Sequence, residues 1–309
     1  MRFHGNEICC GSYVCLNAMK DKNIDLQLFE ISMSVPFGIQ HMENSDFDRL
    51  LTTFCDPNKK MDDTIRLWGY DVCKYSVRTP EEGIQILKTH LQEGPAVIGP
   101  IDMGALNYLI MPEVLRRMDH YITLQYWSER EVICIDSEGI GARCLTYQQL
   151  EKCISVQDVH EARGMINIRF IQKRRSYSMK YVLEKSFFQA IRNLQDAERC
   201  QQGAQAIWSC YEYVTGQDIY KWKLPLMYDL EYLLQRKYML ELLIEKCKEY
   251  NAINEKNCEH ISLIGKEQRE LLGKMYLRLR NCEKVQKSEF ERVGELEKLL
   301  SKNILLEKN

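Results

Sequence analysis

The 309-residue sequence has no apolar run near the ~18 residues that a membrane-spanning helix requires, and Met1-Arg2-Phe3-His4-Gly5-Asn6-Glu7 holds no apolar signal core. A cytoplasmic location without a membrane partner is the expectation. Net charge is almost absent: 42 Lys plus Arg against 44 Asp plus Glu leave −2, so no whole-molecule attraction to polyanions exists and nucleic acid is not an expected partner. Proline is scarce, 7 in all, and past residue 178 only Pro225 remains, which leaves long stretches free to be helical. No two cysteines are spaced as CxxC, so a thiolate zinc cage has no local nucleus, and neither metal nor bound cofactor is expected.

Cysteine itself is plentiful: 13, an odd and scattered set. In a large chain without a secretion signal this argues against a disulfide framework. Most of these thiols are expected to be small buried hydrophobes. The open question is whether one of them is a nucleophile.

With 45% hydrophobic residues the chain has ample core material, and its length suggests two domains. Its character changes near residue 175, at the basic hinge Gln172-Lys173-Arg174-Arg175-Ser176. Domain 1–175 reads as α+β. Helices are predicted over Cys9–Lys20, Leu26–Met33, Asp46–Phe54, Met61–Trp68 and Pro80–His90, and strands over Ala96–Gly99 and Gly164–Ile171. Between those strands, Tyr121–Trp127 and Glu131–Asp136 alternate around Ser128-Glu129-Arg130 and read as a hairpin. Domain 176–309 reads as five helices, Tyr181–Leu194, Ala204–Val214, Leu224–Cys247, Ile253–Cys282 and Phe290–Leu306, forming an antiparallel bundle.

Three residues of the first domain could act together. Cys10, followed by Gly11, opens a helix, where the macrodipole lowers a thiol's pKa. Its backbone N–H is one oxyanion donor, and Asn6 or His4 is a candidate for the second. His120 enters the hairpin and Asp136 leaves it. A three-residue turn sets Trp127 opposite Glu131 and Asp136 opposite Ile122. His120 and Asp136 then share a face one diagonal apart, at a Cβ separation of about 7 Å or less. Asp136 would orient the imidazole while its other nitrogen faces the thiol. Each residue also has a plainer role: Cys10 as a buried helix thiol with Cys9 as its rival, His120 as a strand-end histidine, Asp136 as a turn acid.

The run Cys10-Gly11-Ser12-Tyr13-Val14-Cys15-Leu16-Asn17-Ala18-Met19 resembles the nucleophile helix of the papain-like peptidases that process bacteriocin leaders. Gly94-Pro95-Ala96-Val97-Ile98, Asp119-His120-Tyr121-Ile122-Thr123-Leu124 and Val132-Ile133-Cys134-Ile135-Asp136 are similar to their following strand, His-strand and Asp-strand. Asn23-Ile24-Asp25, Glu30–Gly38 and a helical second domain are more like the butirosin biosynthesis protein H N-terminal family, and the polythioamide synthetases of closthioamide-type assembly are similar too. Position 4, where leader peptidases usually carry an oxyanion glutamine, is His4 here.

The resemblance implies a papain-like cysteine protease fold with a Cys10-His120-Asp136 triad. It further implies an amide-forming acyltransferase of natural-product biosynthesis. An acyl group would arrive on the phosphopantetheine of an acyl- or peptidyl-carrier protein, pass to Cys10, and leave on an amine or diamine. The helical domain would cover the site or contact the carrier or another subunit, in a possible homo-oligomer. Lys173-Arg174-Arg175 and Lys180 are candidates for docking an acidic carrier, and Tyr177, Tyr181, Phe187, Phe188, Trp208 and Tyr211 for lining an acyl pocket. A cysteine peptidase or amidase of the same fold, and an inactive binding scaffold, are the alternatives.

Overall fold

The computed structural model describes residues 10–33, 38–42, 50–53, 57–138, 141–156, 159 and 162–303. In chain order, the first elements are α1 (Cys10–Met19), α2 (Leu26–Ser32), β1 (Ile39–His41), β2 (Leu51–Thr53), α3 (Pro57–Leu67), β3 (Tyr70–Val77) and α4 (Pro80–His90). Then come β4 (Ala96–Asp102), β5 (Asp119–Trp127), β6 (Glu131–Ile135), β7 (Ala142–Thr146), α5 (Tyr147–Ile154) and β8 (Ile166–Lys173). The last are α6 (Met179–Arg199), α7 (Ala204–Gly216), α8 (Ile219–Glu249), α9 (Glu255–Arg280) and α10 (Lys287–Asn303). No helix among the described residues is long and apolar enough to cross a membrane.

The chain forms two compact units, one of Met1–Phe29 with Met61–Ser176, the other of Glu30–Lys60 with Tyr177–Asn309. The contiguous domain expected over 1–175 is thereby corrected, because residues 30–60 belong with the helices. The physical reason is a shared core: Ile39, Leu50 and Leu51 are buried with Ile207, Leu226 and Leu230. Backbone bonds add to it. The buried Asp229 carboxylate accepts from the N–H groups of Leu50 (2.7 Å) and Leu51 (2.9 Å), and Gly203 N–H donates to Ile39 O (2.7 Å). Where the sequence suggested a helix over Asp46–Phe54, Leu51–Thr53 is a strand paired with β1; residues 43–49 and 54–56 lie outside the described residues.

The first unit is mixed α and β. Its sheet has six strands in the order β3-β8-β4-β5-β6-β7, every neighbour antiparallel. Alternation along β5 divides its side chains. Ile122 and Leu124 enter the core that Leu87 and Leu91 near α4 and Leu150, Cys153 and Ile154 of α5 complete. Thr123 faces the other way and donates through Oγ1 to Val14 O of α1 (2.7 Å). On that same face Arg169 of β8, fully buried, donates from Nε to Asp62 of α3 (2.5 Å). Caps set the covering helices. Thr79 accepts from Glu82 N–H ahead of Pro80, and Thr146 forms a reciprocal box with Gln149 at the start of α5.

In the second unit α8 and α9 form a helical hairpin across residues 250–254, with α10 returning against α7 and α9. A buried ion pair ties α8 to α10: Lys237 Nζ lies 2.7 Å from Glu297 Oε2, to which Gln268 of α9 also donates (2.9 Å). Among the aromatic residues suggested for a pocket, Phe187 is buried in the helices while the adjacent Phe188 is exposed, and Tyr177 stacks on Tyr181. Neighbours that point opposite ways do not line one cavity.

β4 carries a close approach that sets the start of β5. Gly99 has φ +156°, and a Cβ there would lie 2.3 Å from the Tyr121 ring and 2.8 Å from His120 O. Its partners shift register there: Ile98 pairs with Ile122, but Ile101 with His120. Gly99→Ala is expected to destabilise the protein by about 1–3 kcal/mol through overpacking, measured by urea denaturation. An unchanged midpoint would show that the strands separate freely at this point.

Candidate functional site

His120 is the second residue of β5 and Asp136 follows the last residue of β6, so the hairpin alone decides whether they meet. They do: His120 Nε2 and Asp136 Oδ1 are 2.6 Å apart, and both residues are buried. The route to that register differs from the expected one. Trp127 pairs with Val132, not Glu131, so Ser128–Glu131 is a four-residue connection, closed by Ser128 N–H donating to Glu131 O (2.9 Å). A bulge at Gln125 then takes up the extra residue. Beyond it Leu124 pairs with Cys134 and Thr123 with Ile135, the register that sets Ile122 against Asp136.

The Asp136 carboxylate is a small hub. Oδ1 also accepts the N–H of Glu138 (3.0 Å), an Asx turn, so the residue is turn acid and histidine partner at once. Oδ2 accepts the hydroxyl of Tyr108 (2.6 Å). Burial pushes the Asp136 pKa up, but bonds from His120, Tyr108 and Glu138 outweigh it, and the carboxyl sits below its ordinary 3.8. Sequence reasoning missed Tyr108. It lies in the long connection from β4 to β5, where no periodicity announces which side chain turns inward.

Cys10 is half-buried and is the first residue of α1, which packs on β5. By alternation His120 shares the face of Ile122 and Leu124, whereas α1 lies on the face of Thr123. The structure thus joins His120 to Asp136 directly and sets Cys10 on the neighbouring helix. The oxyanion candidates His4 and Asn6, and the rival Cys9, lie outside the described residues.

Four of the buried thiols are poor nucleophiles. Burial pushes Cys134 and Cys247 up to about 12, and Cys153 and Cys210 higher still. Among the described residues, Cys10 is the one cysteine that begins a helix. No group of three or more His, Cys, Asp or Glu among them is arranged to hold a metal ion. The basic hinge is largely neutralised. Lys173 Nζ is 2.7 Å from Asp21 and Arg174 Nε 2.7 Å from Asp71, and the Lys173 ammonium holds Asp21 down at about 2. Lys180 stands 3.9 Å from Glu184.

A carboxyl whose native pKa lies below its unfolded value stabilises the fold above the unfolded value, about 3.9, and loses that contribution as pH falls through the native one. The unfolded chain takes up the proton first. The stability gap between wild type and Asp136→Asn, measured by urea denaturation, is therefore expected to be widest at neutral pH and to shrink towards pH 3. A gap that does not change with pH would mean that the carboxyl takes up its proton alike in the native and unfolded chains, and one that widens towards pH 3 that the native carboxyl is neutral.

No protein-family model matches the chain. It is 25% identical over 148 residues to the uncharacterized protein YobF of Bacillus subtilis (strain 168), a stretch covering 47% of this chain and 46% of YobF. The chain spans about half the length of the curated relative it matches.

Proposed function

We propose that the protein is a cysteine-dependent acyltransferase of the papain-like kind, forming amide bonds in the cytoplasm with Cys10, His120 and Asp136 as its triad. The observation that carries this reading is the buried 2.6 Å contact between His120 Nε2 and Asp136 Oδ1. A histidine held by an anionic carboxylate at one nitrogen has its tautomer fixed, and Nδ1 is then the nitrogen that serves the reaction. Cys10 supports the reading by its place at a helix start, where the dipole favours thiolate. Since α1 and His120 belong to opposite faces of the sheet, thiol and imidazole have to meet around the end of β5.

The chemistry runs in two balanced steps. His120 takes the Cys10 thiol proton, Cys10 Sγ attacks the carbonyl carbon of a carrier-bound thioester, and the phosphopantetheine sulfur leaves with that proton from His120. The exchange of one thioester for another is nearly neutral in energy. An amine then attacks the acyl-Cys10 carbonyl, its proton passes to His120, and the Cys10 sulfur leaves as the amide forms. Water at about 55 M competes with the amine, so transfer requires that the amine be held against the acyl group. The Cys10 backbone N–H supplies one oxyanion donor.

Incubation with an acyl-carrier thioester is expected to add the acyl mass to the protein, read by intact mass spectrometry, and added diamine is expected to discharge it as amide. Cys10→Ala should abolish the adduct, and His120→Ala should slow its formation by about 10²–10⁴-fold. Discharge to free acid alone would favour the peptidase or amidase reading. No adduct, together with no selective labelling of Cys10 by a mild electrophile, would leave a binding scaffold and refute the proposal.

A further inference from the structure

A carboxylate gripped through one oxygen is poorly fixed, because the torsion that turns its plane is broad and two-fold. His120 and the Glu138 N–H both bind Oδ1 of Asp136. Orientation therefore depends on what holds Oδ2, and that is Tyr108, at 2.6 Å.

Tyr108 is delivered by a closed neck of chain. Asp102 Oδ1 accepts from the N–H groups of Gly104 (2.9 Å) and Arg117 (3.0 Å), and Met103 N–H donates to Met118 O (3.0 Å). A side chain at residue 104 would break this neck, since a Cβ on Gly104 would lie 2.6 Å from the Arg116 Cα. From the neck the Tyr108 ring packs on the core beside the sheet. The Arg143 guanidinium lies 5.8 Å from the ring centroid, and Arg143 stands opposite Cys134 in the β6–β7 register. Ring and hydroxyl are thus held separately, the ring by the core and Arg143, the hydroxyl by Asp136.

The proton state suits this use. Burial, then the neighbouring Cys134 and Asp136, push the Tyr108 phenol well above its ordinary value, so it donates. Cys134 at about 12 and Cys153 above it are neutral thiols at pH 7, and the charged carboxylate that accepts the hydroxyl is Asp136.

We propose that Tyr108 is a positioning residue of the site: its hydroxyl fixes the second oxygen of Asp136 so that the first stays aimed at His120 Nε2. The proposal rests on the triad reading for its consequence in reactivity, but the tether itself is tested separately. Histidine-labelled NMR of the full chain reads the tether without reference to Cys10. In Tyr108→Phe, which keeps the ring beside Arg143, the Nε2-bound proton of His120 should move upfield as its bond to Asp136 lengthens. Alkylation of Cys10 by iodoacetamide, followed against pH, should slow about tenfold near neutrality, the size expected for losing one hydrogen bond to a charged group. Tyr75→Phe, which removes a hydroxyl elsewhere on the same sheet, should change neither readout.

Unchanged NMR and alkylation profiles in a folded Tyr108→Phe protein, with Asp136→Asn altering both, would overturn the proposal and leave the triad standing. If alkylation in the otherwise unaltered chain is indifferent to His120→Ala, the triad falls, and the NMR shift alone decides the tether by the same criterion. Should Tyr108→Phe not fold, the wild type still answers. A slowly exchanging hydroxyl proton correlated with the Tyr108 ring is expected, and its absence refutes the tether.

Discussion

A buried carboxylate that stays charged is the constraint on which the first unit is organised. Desolvation disfavours the anion at Asp136, and only convergent donors reverse that cost. Those donors come from separate parts of the chain: His120 from β5, Tyr108 from the connection before it, and Glu138 from the turn after β6. Each is placed by a feature that makes little sense alone. Gly99 brings the strands together beside His120, the closed neck around Asp102 presents Tyr108, and the bulge at Gln125 returns the hairpin to register.

The hairpin shows both the reach and the limit of reading a sequence. Period-2 alternation in Tyr121–Trp127 and Glu131–Asp136 was sufficient to pair His120 with Asp136, because one face of those strands is buried and a slip would expose it. The details cancelled. The connection is one residue longer than the Ser128-Glu129-Arg130 turn that the sequence suggests, and a bulge of one residue removes the difference. Burial of Ile122, Leu124, Val132 and Cys134 selects the register at the site; turn length does not.

Other elements were illegible for physical reasons. β1 and β2 have three residues each, too short for any alternation to show, and their strand character comes from pairing with each other and from the Asp229 carboxylate far along the chain. β3 exposes polar and charged side chains along an edge, with Tyr70 and Val77 buried at its ends. β7 and α5 were not among the predicted elements; the Thr146 cap is what separates strand from helix there. The long helices were easier, since scarce proline and sustained apolar spacing leave few competitors. Even there the buried Lys237, Gln268 and Glu297 are charged or polar residues that resemble surface positions until their partners on α8, α9 and α10 are known.

The grouping of Glu30–Lys60 with the helices has a bearing on how such a chain can be inherited or cut. The polypeptide passes between its two units three times, at 29/30, 60/61 and 176/177. A gene truncated at the obvious hinge would yield a sheet unit trailing Ile39, Leu50 and Leu51 without their apolar partners, and a helical unit whose Asp229 carboxylate has lost the N–H groups of Leu50 and Leu51. Recombination can move them only together, and a ribosome must complete α7 and α8 before Ile39, Leu50 and Leu51 meet the apolar side chains they pack with.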